Sequence, residues 1–238
     1  MPRKHLVASK TNQKQQAQAK LWQKLAREIK AAVKVGGSNI EANPRLKAAV
    51  DKALQNNLSR ESIDRNINGS NKDPQQLNQL EFECYGPNGI QIIVQALTDN
   101  TNRVASDLRG YLSKLHGEIA KSNSVKIFFD NVGYIAVYKT PSITIDKIME
   151  WTMDFNIVDI IEQEDAIEVK TIPNDFYKVK DELIKNGCKV LDAEVKLIAQ
   201  NPIDELDNDS RERLNKFIDS CNDNDDIQSV VTNYDGEF

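Results

Sequence analysis

The spacing of the apolar residues changes in character between residues 69 and 80 of this 238-residue chain, and that change constrains the fold more than any other feature. Up to about residue 69 the apolar residues recur three or four positions apart, as they do in amphipathic helices. From Leu80 onward they alternate with polar residues, as in half-buried strands, and further helical stretches lie between the alternating ones. The pattern predicts an α+β protein with a helical N-terminal domain.

Three helices are predicted in the N-terminal domain, and together they form a small bundle. The spacing places them over residues 15–35, 44–56 and 59–68. Asn43 followed by Pro44 is typical of a helix start, because asparagine caps the first amides and proline fits the first helical position.

A polar linker is predicted over residues 70–79. The pattern of the residues after it predicts two α/β domains of the ferredoxin-like βαββαβ type. The middle domain begins with a hairpin that turns at residues 86–89 and continues with a helix over residues 101–115 and a strand over residues 125–129. The last helix and strand, beyond residue 203, cannot bury a face alone and therefore join the middle domain. The predicted domains are a basic helical domain, a discontinuous middle domain and a ferredoxin-like domain, over residues 1–72, 80–130 with 203–238, and 132–200.

Charge divides the chain into two unequal parts. Residues 1–72 hold 15 lysines and arginines against 5 acidic residues, a net charge of +10, whereas residues 73–238 hold 16 against 31, a net charge of −15. Such an asymmetry suggests that the basic part meets a polyanion, most often nucleic acid. The alternative is that the two parts of the chain attract each other.

The first helix carries a cationic side. Five of its basic residues fall within an arc of about 120° opposite the apolar residues. A surface of this kind releases counterions from a phosphate backbone, so binding would depend steeply on salt and little on base sequence. A solvated lysine face is the alternative. The candidate nucleic-acid-binding residues are Lys10, Lys14, Lys20, Lys24, Arg27, Lys30, Lys34, Arg45 and Arg103.

Arg103 is a candidate for a different reason. It follows Asp99 and Asn100, either of which can cap a helix, and so it lies in a first turn, where the helix dipole disfavours a cation. An anion is therefore expected beside it. That anion is either a phosphate or the carboxylate of Asp99 or Asp107.

A helix-turn-helix is a weak possibility in the same domain. The second and third predicted helices are joined by about three residues. A recognition helix that begins at Arg60 would, however, bring Glu61 and Asp64 toward phosphates.

Catalytic motifs are absent from the sequence. Residues 223–226 cluster three aspartates that could hold magnesium, which keeps a magnesium-dependent hydrolase as a remote alternative, although a solvated acidic loop is the simpler reading. Cys84, Cys188 and Cys221 lack zinc-ligand spacing and are interpreted as buried thiols. We expect no enzyme activity, no cofactor and no metal.

Four blocks of sequence resemble the YebC/PmpR family of bacterial proteins, which includes the mitochondrial translational activator of cytochrome c oxidase. They read KLWQKLAREIKAAVKVGG with EANPRLKAAVDKALQNNLSRESI, YGPNGIQIIVQALTDNTNRV, SKLHGEIAKSNSVKIFF, and DNDDIQSVVTNYD. The resemblance implies a three-domain fold, DNA binding and transcriptional regulation. Some members of the family look instead like ribosome-associated translation factors.

The sequence therefore predicts a non-enzymatic, DNA-binding regulator of transcription, with a ribosome- or RNA-associated translation factor as the alternative. The expected partners are DNA, or rRNA or tRNA on the ribosome, and a protein on the acidic α/β domains. The chain has no apolar run of membrane-spanning length and no signal-peptide core near Met1, so we expect a bacterial cytoplasmic protein. We also expect a monomer or a weak oligomer.

Overall fold

The computed structural model describes residues 3–70 and 77–236, with side chains described from residue 17 onward. These residues form seven α-helices and eight β-strands. The helices are α1 (Arg3–Gly36), α2 (Pro44–Gln55), α3 (Arg60–Gly69), α4 (Thr101–Leu115), α5 (Ile145–Thr152), α6 (Phe176–Lys185) and α7 (Asn208–Asp223). The strands are β1 (Asn78–Tyr85), β2 (Gln91–Thr98), β3 (Glu118–Ile119), β4 (Phe129–Tyr138), β5 (Ile157–Glu162), β6 (Ala166–Thr171), β7 (Val190–Ala199) and β8 (Ile227–Thr232).

Helices α1 to α3 form a bundle around a core of buried aliphatic residues that includes Leu25, Ile29 and Leu46. Helix α1 begins about twelve residues earlier than predicted, at Arg3. The added stretch holds one arginine and three lysines, which favour helix without an apolar stripe. The predicted cap is confirmed, because the Asn43 side chain accepts a hydrogen bond from the Leu46 amide at 3.1 Å.

The middle sheet is antiparallel, with the strand order β3-β1-β2-β8. Strand β8 follows the ferredoxin-like segment in sequence and pairs with β2. Helices α4 and α7 pack on this sheet and share one hydrophobic core with it, which includes Leu108, Leu112 and Phe217.

The strand predicted over residues 125–129 is wrong. Lys126–Phe128 is a 3-10 turn, and the third strand of the middle sheet is the two-residue β3. The reason is a buried carboxylate. Glu83 on β1 accepts hydrogen bonds from the amides of Val125 and Lys126 at 2.6 and 2.7 Å, and it thereby takes the donors that a strand would use for pairing.

Residues 127–202 form a compact unit of their own, with the element order βαββαβ and the sheet order β5-β6-β4-β7. This is the ferredoxin-like arrangement. Helices α5 and α6 share the core of the sheet through residues that include Ile148, Val179 and Leu183. Gly133 on β4 lies against α6, where an added Cβ would approach the Phe176 Cβ to 2.8 Å. The predicted fold class, α+β with a helical N-terminal domain followed by two α/β domains, is confirmed.

Candidate nucleic-acid interface

The middle of the cationic side of α1 faces residues 222–226, which we call the acidic segment. This segment comprises the end of α7 and the residues that lead into β8. Lys20 Nζ lies 2.7 Å from Asp223 Oδ1, and Lys24 Nζ donates to the Asn222 carbonyl at 2.8 Å. Arg27 Nη1 donates to the Asp225 carbonyl at 2.9 Å and to Asp226 Oδ1 at 2.6 Å. The two oppositely charged parts of the chain therefore meet here.

Asp226 is the centre of this contact. Its residue is only 4% exposed, and its carboxylate accepts hydrogen bonds from Arg27, Arg103 and the Thr98 hydroxyl. Burial by itself would raise the pKa of Asp226, but the hydrogen bonds from Arg103, Arg27 and Thr98 outweigh burial and hold that pKa below its usual range. Two guanidinium groups thus share one buried carboxylate.

Lys24 is also buried, with 8% of the residue exposed. Burial lowers the pKa of its ammonium group, and the nearby Asp225 opposes that shift. Lys24 is therefore enclosed in the contact between α1 and the acidic segment.

Arg103 lies in the first turn of α4, where the cap is Asn100. Its guanidinium group binds Asp99 at 2.9 Å and Asp226 at 2.5 Å, so the anion expected beside it is a pair of carboxylates. Asp107, the other carboxylate considered, accepts instead from Asn224 at 3.1 Å. The sequence did not indicate Asp226 as a partner, because 123 residues separate it from Arg103.

The other predicted residues lie elsewhere on the bundle. Lys34 is exposed in the last turn of α1, whereas Lys30 and Arg45 are half-buried. The side chains of Lys10 and Lys14 fall outside the described residues. Basic residues that the sequence analysis did not select are also exposed on α2 and α3; they are Lys52, Arg60 and Arg65.

The turn between α2 and α3 spans residues 56–59 and contains Asn57 with φ = 59°. On the first turns of α3, Glu61 and Asp64 are both exposed, and Glu61 forms an ion pair with Arg65 at 2.9 Å. These carboxylates would face any phosphate backbone that approached α3, which disfavours base reading by this helix.

Two of the three aspartates of the acidic segment have protein cations as partners. Asp223 binds Lys20, and Asp226 binds two arginines. Among the side chains that the structure describes, no group of three or more histidine, cysteine, aspartate and glutamate residues is arranged to hold a metal ion. All three cysteines are buried and free, and burial raises the pKa of both Cys84 and Cys221 to about 12. Thiols of this kind are poor nucleophiles near neutral pH.

The architecture defines a class of α+β proteins in which a basic helical domain precedes two domains built on antiparallel sheets. Residues 3–73 match the family model of the TACO1/YebC protein N-terminal domain, and residues 77–234 match the model of the TACO1/YebC second and third domain. The chain belongs to the TACO1/YebC family, which confirms the resemblance found in the sequence.

Relatives and a solved structure agree with this assignment. A probable transcriptional regulatory protein of Ureaplasma urealyticum serovar 10 is 52% identical over 238 residues, which cover 100% of both chains. A protein of Mycoplasma pneumoniae with the same descriptive name is 48% identical over 235 residues, which cover 98% of this chain and 99% of the relative. The crystal structure of a conserved hypothetical protein from Aquifex aeolicus matches with a TM-score of 0.76 and 29% identity, over 92% of this chain and 91% of that one. Within the described part of the chain, no helix is long and apolar enough to cross a membrane.

Proposed function

We propose that this protein is a non-enzymatic, DNA-binding regulator of transcription whose basic helical domain holds the phosphate backbone. The observation that carries the proposal is the net charge of +10 on residues 1–72, beside a remainder of net charge −15. A domain of this charge attracts phosphates, while the acidic domains repel them on their own side. The names of the relatives support the regulatory role. Such a regulator works in the bacterial cytoplasm, and its acidic domains offer surfaces for a protein partner.

The proposed contacts with phosphate begin at the end of α1. Lys34 and Arg45 lie beyond the ion pairs with the acidic segment, and Lys30 lines a cleft of about 300 Å³ together with Arg27 and Asp225. Lys10 and Lys14 belong to the same helix and lie nearer its N-terminus. Backbone contacts of this kind position a protein without reading base sequence, which fits the carboxylates exposed on α3.

A ribosome-associated or otherwise RNA-binding translation factor is the second candidate. The exposed Glu61 and Asp64 favour it over a sequence-specific DNA regulator, because they disfavour base reading, and a domain that reads no bases can hold RNA phosphates as well as DNA phosphates. Crosslinking in growing cells, followed by denaturing purification and sequencing of the attached nucleic acid, distinguishes the two. Enrichment of particular promoters supports transcriptional control, whereas enrichment of rRNA or tRNA supports the translation factor.

Charge reversal tests the interface itself. We expect the double variant Lys34→Glu with Arg45→Glu to bind a mixed-sequence duplex at least about tenfold more weakly and to reduce the salt slope by about two, since two phosphate contacts are lost. Fluorescence anisotropy at several salt concentrations measures both quantities.

The matched control reverses two exposed lysines on the other domains, Lys121→Glu with Lys189→Glu. It makes the same change in net charge and should leave the salt slope intact. Equal weakening by the two double variants would mean that overall charge, rather than the helical domain, holds the duplex.

A further inference from the structure

The contact between α1 and the acidic segment is built from charged and polar groups. Every hydrogen bond and ion pair described between them involves a lysine or arginine side chain of α1. The hydrophobic core of the helical bundle and the core of the middle sheet have no residue in common. The contact therefore rests on electrostatic attraction rather than on a shared apolar core.

The carboxylates of this segment take the positions that phosphate oxygens would take. Lys20 and Arg27 lie about two turns apart on α1, and each holds a carboxylate oxygen, at 2.7 and 2.6 Å. Charge-assisted hydrogen bonds of this length are also those that lysine and arginine make with phosphate. An anionic backbone could thus replace the segment without any change in the helix.

Displacement of the acidic segment would leave its two ion-paired carboxylates, Asp223 and Asp226, satisfied. The Lys20–Asp223 pair is exposed, with 42% and 74% of the two side chains accessible, so both groups return readily to water. Asp226 would lose Arg27 but keep Arg103 and the Thr98 hydroxyl. No buried carboxylate is then left without a cation, which would otherwise oppose the exchange.

We infer that the acidic segment is an internal competitor for nucleic acid: it covers Lys20 and Arg27 in the unbound protein, and a phosphate backbone displaces it. This inference rests on the proposed function, because it assigns a regulatory element to the same basic helix. Nucleic-acid binding is then a competition between the acidic segment and the phosphate backbone for Lys20 and Arg27. Affinity is accordingly set by the acidic residues as well as by the basic ones.

Carbodiimide coupling tests the displacement in the full-length wild-type protein. The reagent joins an amine and a carboxylate only when they touch, so it should link Lys20 to Asp223, which lie 2.7 Å apart. The pair Lys126–Glu81, also 2.7 Å apart but within the middle domain, is the internal control. We expect saturating 30-base-pair duplex without terminal phosphates to reduce the Lys20–Asp223 link at least fivefold, as quantified by mass spectrometry, and to spare the control. An unchanged link in protein that has bound the duplex would overturn the inference.

Neutralising the competitor is the second test. The variant Asp223→Asn with Asp225→Asn should bind the duplex about tenfold more tightly near 0.15 M salt, because two anions no longer oppose the phosphates. Asp154→Asn with Asp181→Asn makes the same change in net charge on exposed residues of the ferredoxin-like unit and serves as control.

The outcomes separate the two ideas. Equal affinity of the wild type and the Asp223 and Asp225 variant, or an equal gain in the control, overturns the competitor and leaves nucleic-acid binding standing. Tighter binding by the Asp223 and Asp225 variant than by the wild type and the control supports both the competitor and the proposed function. If neither protein binds duplex DNA or an RNA hairpin at low salt, the proposed function fails and the competitor fails with it.

Discussion

At the scale of single residues, two buried carboxylates organise the middle domain. Asp226 is 4% exposed and holds two arginines from distant parts of the chain. Glu83 is 7% exposed and accepts hydrogen bonds from the amides of three residues, Asn123, Val125 and Lys126. A buried carboxylate is tolerated only when it is paired in this way, so both positions should be sensitive to substitution.

Glu83→Gln should lower the free energy of unfolding by about 1–3 kcal/mol, because a neutral amide is a weaker acceptor and brings two unmatched donors. Burial would raise the pKa of Glu83, but the three amides outweigh it and lower that pKa. The charged form thus stabilises the fold above the unfolded-state pKa, and this contribution is lost as pH falls through the folded-state pKa. Urea denaturation between about pH 3 and pH 7 should show the wild type losing stability toward acid and the variant losing less.

The neighbouring Glu81→Gln is the control. Glu81 lies on the same strand, and its ion pair with Lys126 is partly exposed, at 28% and 49% of the side chains. Its loss should change stability by less than about 1 kcal/mol. An equal effect at the two positions would contradict the role given to Glu83.

At the scale of elements, Asn43 joins the end of α1 to the start of α2. Its side chain caps α2 and also donates to the carbonyls of Ala32 and Gly37 at 2.9 and 2.8 Å. Gly36 permits this approach, because an added Cβ would lie 2.6 Å from the Asn43 side chain. A single buried amide thereby fixes the angle between two helices of the bundle.

Asn43→Ala should destabilise the helical bundle by roughly 2 kcal/mol, since it removes a cap and leaves two carbonyls without a donor. Asn43→Asp keeps the capping oxygen but sets a buried carboxylate oxygen against those two carbonyl oxygens, and we expect a larger loss than that of Asn43→Ala. Asn39→Ala, which removes an exposed side chain that accepts from the Glu41 amide, is the control and should be nearly neutral. Urea denaturation followed by tryptophan fluorescence ranks the three, and a different order would contradict the double role of Asn43.

The same scale shows what sequence can and cannot predict. Helices α2, α3 and α4 and the hairpin turn at residues 86–89 follow from local spacing and caps, so their predicted bounds lie within a few residues of those observed. The strand expected over residues 125–129 fails because Glu83, some 40 residues earlier, takes its amides. The basic side of α1 can likewise be predicted from the spacing of its lysines and arginines. Its contact with the acidic segment cannot, because 199 residues separate Arg27 from Asp226 and no local pattern relates them.

At the scale of the whole molecule, the residues that the structure describes form three hydrophobic cores without a residue in common: one in the helical bundle, one in the middle domain and one in the ferredoxin-like unit. Separate cores favour unfolding in more than one step. The chain also provides separate reporters, because Trp22 packs on the bundle core and Trp151 on the core of the ferredoxin-like unit. The bundle's stability can therefore be followed by itself.

In a Trp151→Phe background, where Trp22 reports on the bundle, we expect Asp223→Asn with Asp225→Asn to lower the midpoint of thermal unfolding at about 0.05 M NaCl. The ion pair between Lys20 and Asp223 is absent in that variant. At about 1 M NaCl the two midpoints should coincide, because the screening length falls to about 3 Å and the attraction is lost in both proteins. The comparison cancels the self-repulsion of the basic bundle, which salt relieves equally in each. A difference in midpoint that persists at high salt would mean that the acidic segment supports the bundle through packing, whereas no difference at low salt would mean that it contributes no stability.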